Sequence, residues 1–156
     1  MSSQTTQDWF DSTDPTGAGR GLRFRCTRCG NCCTGPEGFV LFTELEAARL
    51  AARLGVTRAE FEGRYTKETV RGRSLAEKES AFGLDCIFLD RASVPGKAVC
   101  GVYEDRPAQC RTWPFWKSNL RSGQTWALAS RHCPGINQGR LIPPEQVRVL
   151  RDTVDI

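Results

Sequence analysis

Eight cysteines are the residues of this 156-residue chain whose type and spacing best suit chemistry. Four of them fall in the stretch CTRCGNCC, residues 26–33, and four more are spread over the following hundred positions. Cysteine sulfur can form disulfides, act as a redox nucleophile or bind soft metal ions, so three kinds of site are open. The candidates are Cys26, Cys29, Cys32, Cys33, Cys86, Cys100, Cys110 and Cys133.

Disulfide bonding and thiol redox catalysis both fit the sequence poorly. The first residues lack the basic start and apolar core of a secretory signal, which predicts a cytoplasmic protein whose thiols stay reduced. The adjacent Cys32 and Cys33 cannot pair without severe strain. A thioredoxin-like pair at Cys26 and Cys29 would need a following helix to lower the thiol pKa, whereas the glycines and proline of residues 30–38 predict turns.

Metal binding accounts for the spacing of the cysteines. In a Cys-x-x-Cys turn two sulfurs can hold one ion, and Cys26, Cys29 and Cys32 repeat that step, as in ferredoxin-like loops. The distant cysteines would supply further ligands. Because neighbouring side chains in extended backbone point to opposite sides, Cys33 is predicted to bind a different metal atom from Cys32. Cysteine-only ligation suits both zinc and iron–sulfur, so the metal stays open, with the triple spacing leaning toward an iron–sulfur cluster.

Two arginines and one histidine lie near cysteines in the sequence and are candidate residues of the same site. Arg106 and Arg111 flank Cys110, and both are predicted to donate hydrogen bonds to sulfur. His132 adjoins Cys133, and alternation points it away from the metal that Cys133 would bind. With this single histidine and no phosphate loop, the chain offers neither a hydrolase triad nor a nucleotide site.

The amino-acid composition limits the classes of partner that are expected. Hydrophobic residues make up 39% and charged residues 26% of the chain, which is typical of a globular protein, and no apolar run is long enough to cross a membrane. Eight thiolates and about two divalent ions would bring the net charge of +4 close to zero, so nucleic acid is not an expected partner. Trp113 and Phe115 are predicted to shield the metal as core residues rather than to stack on bases.

The elements that position the cysteines are predicted to be short and mixed. Capping boxes, Thr43 with Glu46 and Thr57 with Glu60, predict helices over about 44–54 and 58–68. A short helix capped by Asp105 and a C-terminal helix are also predicted, with strand candidates at 38–42, 86–90, 98–103 and 125–133. The predicted fold class is α+β, a small irregular single domain with short helices and strands organised around cysteine-bound metal. Residues 1–21 are predicted to be a flexible N-terminal tail and residues 22–156 the cysteine-cluster domain.

The composite pattern resembles the YkgJ-type cysteine-cluster proteins, the CxxCxxCC family of zinc- or iron-chelating domains. The likeness rests on CTRCGNCC, CIFLD, CGVYEDRPAQCRTWPF and CPGI, covers about residues 24–137, and puts all eight cysteines at motif positions. It departs at Gly101, Val102 and Trp113, none of which is a candidate ligand. The resemblance implies metal chelation. A relative similar only in the cysteine motifs, the flagellin lysine methylase, is associated with an iron–sulfur cluster, but this chain shows no glycine-rich S-adenosylmethionine loop.

Two classes of function follow and both stay open. The first is a metal-binding protein with an eight-cysteine site, holding an iron–sulfur cluster, zinc or both, with redox activity or an oxidoreductase- or transferase-like reaction. The second is a structural zinc domain that binds a protein, and less readily RNA. The sequence predicts metal ions as partners and leaves enzyme activity and oligomeric state open.

Overall fold

The computed structural model describes residues 6–156 and mixes short helices with short strands, which confirms the predicted α+β class. The helices are α1 Glu44–Leu54, α2 Arg58–Tyr65, α3 Ala108–Arg111, α4 Lys117–Leu120, α5 Gly123–Ser130 and α6 Pro144–Asp152. The strands are β1 Leu22–Phe24, β2 Thr34–Gly35, β3 Thr66–Thr69, β4 Gly72–Leu75, β5 Glu77–Ser80, β6 Gly83–Cys86, β7 Leu89–Asp90, β8 Val99–Cys100 and β9 Ile136–Ile142. Short 3-10 helices span Trp9–Asp11, Asn31–Cys33 and Tyr103–Asp105.

The chain divides into two compact units. Unit 1 consists of Met1–Thr27 and Pro114–Ile156, and unit 2 of Arg28–Trp113. In unit 1, β1 pairs antiparallel with β9, and the core combines aliphatic residues with the aromatic Phe10, Phe115 and Trp126. The rings of Phe115 and Trp126 stack there with their centroids 5.6 Å apart.

Residues 6–21, part of the segment predicted to be a flexible tail, carry local structure in unit 1. Phe10 is buried within the 3-10 helix Trp9–Asp11. Arg148 of α6 pairs with Asp8 at 2.8 Å and with Asp11. A buried ring and these ion pairs give the segment more order than a flexible tail implies. The first five residues of the predicted tail lie outside the described part of the chain.

Unit 2 is built on a core that α1 and α2 cover. Both predicted capping boxes are confirmed: the Thr43 and Thr57 hydroxyls accept from the backbone N–H groups of Glu46 and Glu60, each at 3.1 Å. Helix α2 ends at Tyr65, three residues earlier than predicted, because the next residues form the β3–β4 hairpin. The core residues are Ala47, Leu50, Ala51, Phe61, Leu75, Phe88 and Val102.

Unit 2 contains three small sheets, and two of the distant cysteines, Cys86 and Cys100, end strands in two of them. Strands β2, β6 and β5 form a sheet in that order, β7 pairs with β8, and β3 pairs with β4. In the register of these sheets Cys86 stands opposite Glu77, and Cys100 stands opposite Leu89. The strand predictions at 86–90 and 98–103 are therefore confirmed in part, as ends of these short strands.

Three local predictions are wrong. Residues 125–130 lie in helix α5 and residues 131–133 follow its end, so no strand forms here. The Ser122 hydroxyl accepts from the N–H of Thr125, and the Thr125 hydroxyl accepts from the N–H of Ser122. Residues 38–42 form no named strand, and only an isolated bridge joins Leu41 to Ser74. Helix α3 starts after Pro107 and not after Asp105, whose carboxylate accepts from Arg53 at 2.5 Å instead.

Candidate metal centre

The part of the CTRCGNCC stretch that belongs to unit 2 is a loop closed by one tight turn. The N–H of Cys33 donates to the carbonyl of Gly30 at 2.9 Å, which closes the 3-10 helix Asn31–Cys33. Gly30 has a φ of +80°, and a Cβ added there would lie 2.6 Å from the Cβ of Ala98. Ala98 also donates its N–H to the carbonyl of Arg28 at 2.9 Å. The segment before β8 therefore fixes the loop from one side, and glycine is required for that approach.

The sulfurs of Cys32 and Cys33 lie 3.7 Å apart. The prediction that these two cysteines serve different metal atoms assumed extended backbone, and that premise is wrong because both lie in a 3-10 helix. Two sulfurs that bind one tetrahedral zinc at about 2.3 Å are roughly 3.8 Å from each other. The pair therefore has the separation of two ligands on one ion.

Five thiols of unit 2 lie close enough together for their charges to act on one another's ionisation. Two come from the Asn31–Cys33 helix, two from strand ends at β6 and β8, and one from α3. The short hairpins bring together residues that are distant in sequence. This group is called the thiol cluster: Cys32, Cys33, Cys86, Cys100 and Cys110.

The ionisation of the thiol cluster shows how strongly its members interact. A hydrogen bond from the Cys33 thiol lowers the pKa of Cys32 to about 7, and the same bond, together with burial and neighbouring negative charge, raises the pKa of Cys33. Burial raises the pKa of Cys86 to about 11 and also raises the pKa values of Cys100 and Cys110. A metal ion bound here would have to displace protons from these sulfurs, and its positive charge would remove their mutual repulsion.

A cavity of about 110 Å³ lies against three members of the cluster, Cys32, Cys33 and Cys86. Apolar side chains form much of its wall, including Phe39, Val40, Leu75 and Leu84. Among the described residues no three His, Cys, Asp or Glu side chains stand close enough to hold an ion as they are. The thiols would therefore have to turn toward one another on binding. The donors are all soft sulfurs, so the residues present suit zinc or iron.

The two arginines predicted to donate to sulfur have different surroundings. The guanidinium of Arg106 lies over the Tyr103 ring, 3.8 Å from its centroid. Its positive charge opposes the burial that raises the pKa values of Cys100 and Cys110. Arg111 instead forms an ion pair with Glu46 at 3.6 Å. The charge of Arg106 therefore acts on these thiols, while hydrogen bonding to sulfur stays a prediction for both arginines.

Sequence reasoning missed a third arginine, Arg91. Its Nε and Nη2 atoms donate to the two carboxylate oxygens of Asp85 at 2.8 and 2.9 Å. Asp85 is only 2% exposed, and these bonds hold its pKa well below the usual range. Arg91 also lies close enough to Cys33 for their charges to interact. Its place in the sequence gave no signal, because the contact depends on how β6 and the turn after β7 fold together.

The other predicted site residues are distributed between the two units. Cys29 is half-buried in unit 2. Cys26, which is exposed, and Cys133, which is buried, belong to unit 1 with the exposed His132. Trp113 is half-buried in unit 2, and Phe115 packs in the core of unit 1. The structure thus groups five of the eight predicted ligands, and the roles of the others stay predictions.

Short helices and strands that gather soft sulfurs beside a small cavity characterise a cysteine-rich metal-chelating domain. The family model that matches is CxxCxxCC, "Putative zinc- or iron-chelating domain", over residues 25–134. That range contains all eight cysteines and most of the chain. The chain belongs to the CxxCxxCC family.

A similar protein is the uncharacterized protein MJ0661 of Methanocaldococcus jannaschii. It is 30% identical over 125 residues, which cover 76% of this chain and 61% of that protein. The chain thus spans about three fifths of that relative's length. No solved structure matches. In residues 6–156, no helix has the length and apolar character needed to cross a membrane.

Proposed function

We propose that this chain is a metal-binding protein in which the cysteines hold zinc or iron, and that the thiol cluster supplies the central ligands. The observation that supports this is the approach of five thiols from four separate elements of unit 2, with Cys32, Cys33 and Cys86 lining one cavity. Placing so many thiols together has no obvious structural benefit, whereas thiolates are the preferred ligands of zinc and iron. Cys26, Cys29 and Cys133 are proposed as further ligands on the sequence pattern alone.

The sulfur geometry bears on how many metal atoms are present. In a four-iron cluster four cysteines serve four irons, one each, whereas in a two-iron cluster they serve two irons, two each. The 3.7 Å separation of Cys32 and Cys33 supports a metal atom with at least two cysteine ligands. That is the situation in tetrahedral zinc, mononuclear iron or a two-iron cluster. Because the cluster has more sulfurs than the four positions of one tetrahedral ion, a second metal atom is expected.

The chemistry available depends on which metal binds. Zinc would supply folding free energy through a closed, sulfur-only site, and iron would in addition supply electron transfer. The chain's own residues hold the metal, exclude water with apolar side chains of the cavity wall such as Phe39 and Leu75, and balance charge with Arg106. A colourless zinc protein would favour a structural domain that binds a protein partner, and a coloured iron protein would favour redox activity.

The test is metal analysis of protein purified without oxygen, combined with its visible spectrum before and after dithionite. Each cysteine is then replaced by serine and the bound metal is counted, with Asn31→Ser as a control that alters the same turn without removing a sulfur. We expect metal in the wild type and in the control, and loss of metal from every variant of the thiol cluster. Protein without stoichiometric metal, or cluster variants that keep all of it, would contradict the proposal.

A further inference from the structure

Arg91 is held in one orientation by two neighbours of different chemistry. Its Nε and Nη2 atoms are both used by the buried carboxylate of Asp85, at 2.8 and 2.9 Å. Its guanidinium carbon lies 4.1 Å from the centroid of the Phe82 ring. Phe82 is 66% exposed, so the ring covers the guanidinium from the solvent side without being part of the core. An arginine fixed by a two-point carboxylate contact and by stacking has little freedom to turn away.

The third nitrogen of Arg91, Nη1, faces the cysteine loop. A Cβ placed on Gly30 would lie 3.7 Å from this atom, which puts Nη1 beside the turn that ends at Cys33. The strand register adds to this placement, because Asp85 stands opposite Thr34, the residue that follows Cys33. Asp85 therefore holds two nitrogens of Arg91 on the sheet and leaves the third for the loop.

We propose that Arg91 is a positioning residue of the metal centre, whose Nη1 donates a hydrogen bond to the Cys33 sulfur when that sulfur binds metal. This inference rests on the proposed function, since it requires metal at Cys33. The hydrogen bond stabilises the thiolate charge and fixes the direction in which the Cys33 sulfur points. Groups that orient metal ligands in this way affect metal affinity by about 10–100-fold in other proteins.

The geometry predicts that lysine cannot replace Arg91. A lysine ammonium can contact Asp85 or the loop as a single charge, but it has no planar fork that serves both at once. Arg91→Lys should therefore lose part of the effect although the charge is kept. Arg91→Gln should lose more, because both the charge and the donor geometry disappear.

Cobalt(II) is a suitable probe, because thiolate ligation gives an absorption band whose energy reports on the sulfur charge. We expect Arg91→Gln to weaken cobalt binding by about 10–100-fold and to shift this band. The affinity and band energy of Arg91→Lys should lie between those of the wild type and of Arg91→Gln. The control is Arg73→Gln, which removes an arginine paired with Glu68 on the β3–β4 hairpin of the same unit. Its affinity and band should equal those of the wild type.

The outcomes separate this inference from the proposed function. Wild-type protein that binds no cobalt through sulfur would contradict the proposed function itself. Wild-type protein that binds cobalt, with an Arg91→Gln variant that is less stable but has unchanged affinity and band, would show a purely structural role for Arg91 and overturn the inference. If Arg91→Gln does not fold, Arg91→Lys decides, and wild-type values for that variant would overturn the inference equally.

Discussion

Gly30→Ala should lower the free energy of unfolding by about 2–5 kcal/mol, because the alanine meets two separate costs. The backbone of Gly30 has a φ of +80°, and a left-handed conformation costs a residue with a Cβ about 1–2 kcal/mol. The new Cβ would also lie 2.6 Å from that of Ala98, whereas carbon atoms prefer about 3.5–4.0 Å. Overlap of this kind in a packed region costs about 1–3 kcal/mol.

Two further variants separate these costs. Gly96 has a φ of +72° and open space around its Cβ position, so Gly96→Ala should show the backbone cost alone, about 1–2 kcal/mol. Adding Ala98→Gly to Gly30→Ala removes the overlapping atom. The double variant should recover about 1–3 kcal/mol relative to the sum of the two single changes, as expected for residues in contact.

The assay is equilibrium unfolding in urea, followed by circular dichroism and tryptophan fluorescence, at one fixed metal concentration because bound metal adds to stability. If Gly30→Ala and Gly96→Ala cost the same within about 0.5 kcal/mol, the loop does not pack on Ala98 as described. Additivity in the double variant would lead to the same conclusion.

Three further predictions concern the metal and the pH dependence of stability. Removal of metal by a chelator, or Cys29→Ser, should abolish the thermal transition, since cysteine-bound zinc supplies on the order of 10 kcal/mol, and a stripped protein with an unchanged melting curve would refute this. Cys32→Ser, Cys33→Ser and the double variant should all lose the same number of metal atoms, and a larger loss in the double variant would mean that the two sulfurs serve different atoms. The hydrogen bonds from Arg148 lower the pKa of Asp11, so the stability that they contribute is present above the unfolded pKa near 4 and is lost as the pH falls through the lower folded value. The destabilisation caused by Arg148→Met, measured by urea unfolding, should therefore shrink below about pH 4, and a constant difference would contradict the assignment.

Sequence reasoning succeeded where a local signal decides the structure. The capping boxes at Thr43 and Thr57 act within one helical turn, so the starts of α1 and α2 followed from the sequence. The rule did not identify α5, because the residue three positions after Ser122 is Thr125, whose hydroxyl takes the place of the usual Glu or Gln side chain. The apolar residues that follow favoured a strand instead. A short apolar stretch such as this one can be buried as a helix or as a strand, so its composition does not decide between the two.

The candidate site was predictable in its residue types and not in its arrangement. Spacing alone singled out the cysteines as candidate ligands, but the relation between Cys32 and Cys33 depends on the backbone of a single turn. The premise of the alternation argument is wrong, because Gly30, in a left-handed conformation, precedes a 3-10 helix there. The contact of Arg91 with Asp85 depends on the register of β6 with its neighbours, which no single-sequence pattern specifies.

The order of the two units along the chain has a consequence for metal loading during synthesis. Unit 2 is one continuous segment, Arg28–Trp113, so every member of the thiol cluster is translated before the first residue of Pro114–Ile156. Unit 1 needs both chain segments, because β1 has no partner until β9 is complete. Domains generally fold as units as they emerge. Cys32 and Cys33, which lie early in unit 2, can therefore emerge from the ribosome while the strand partner of residues 22–24 is still untranslated.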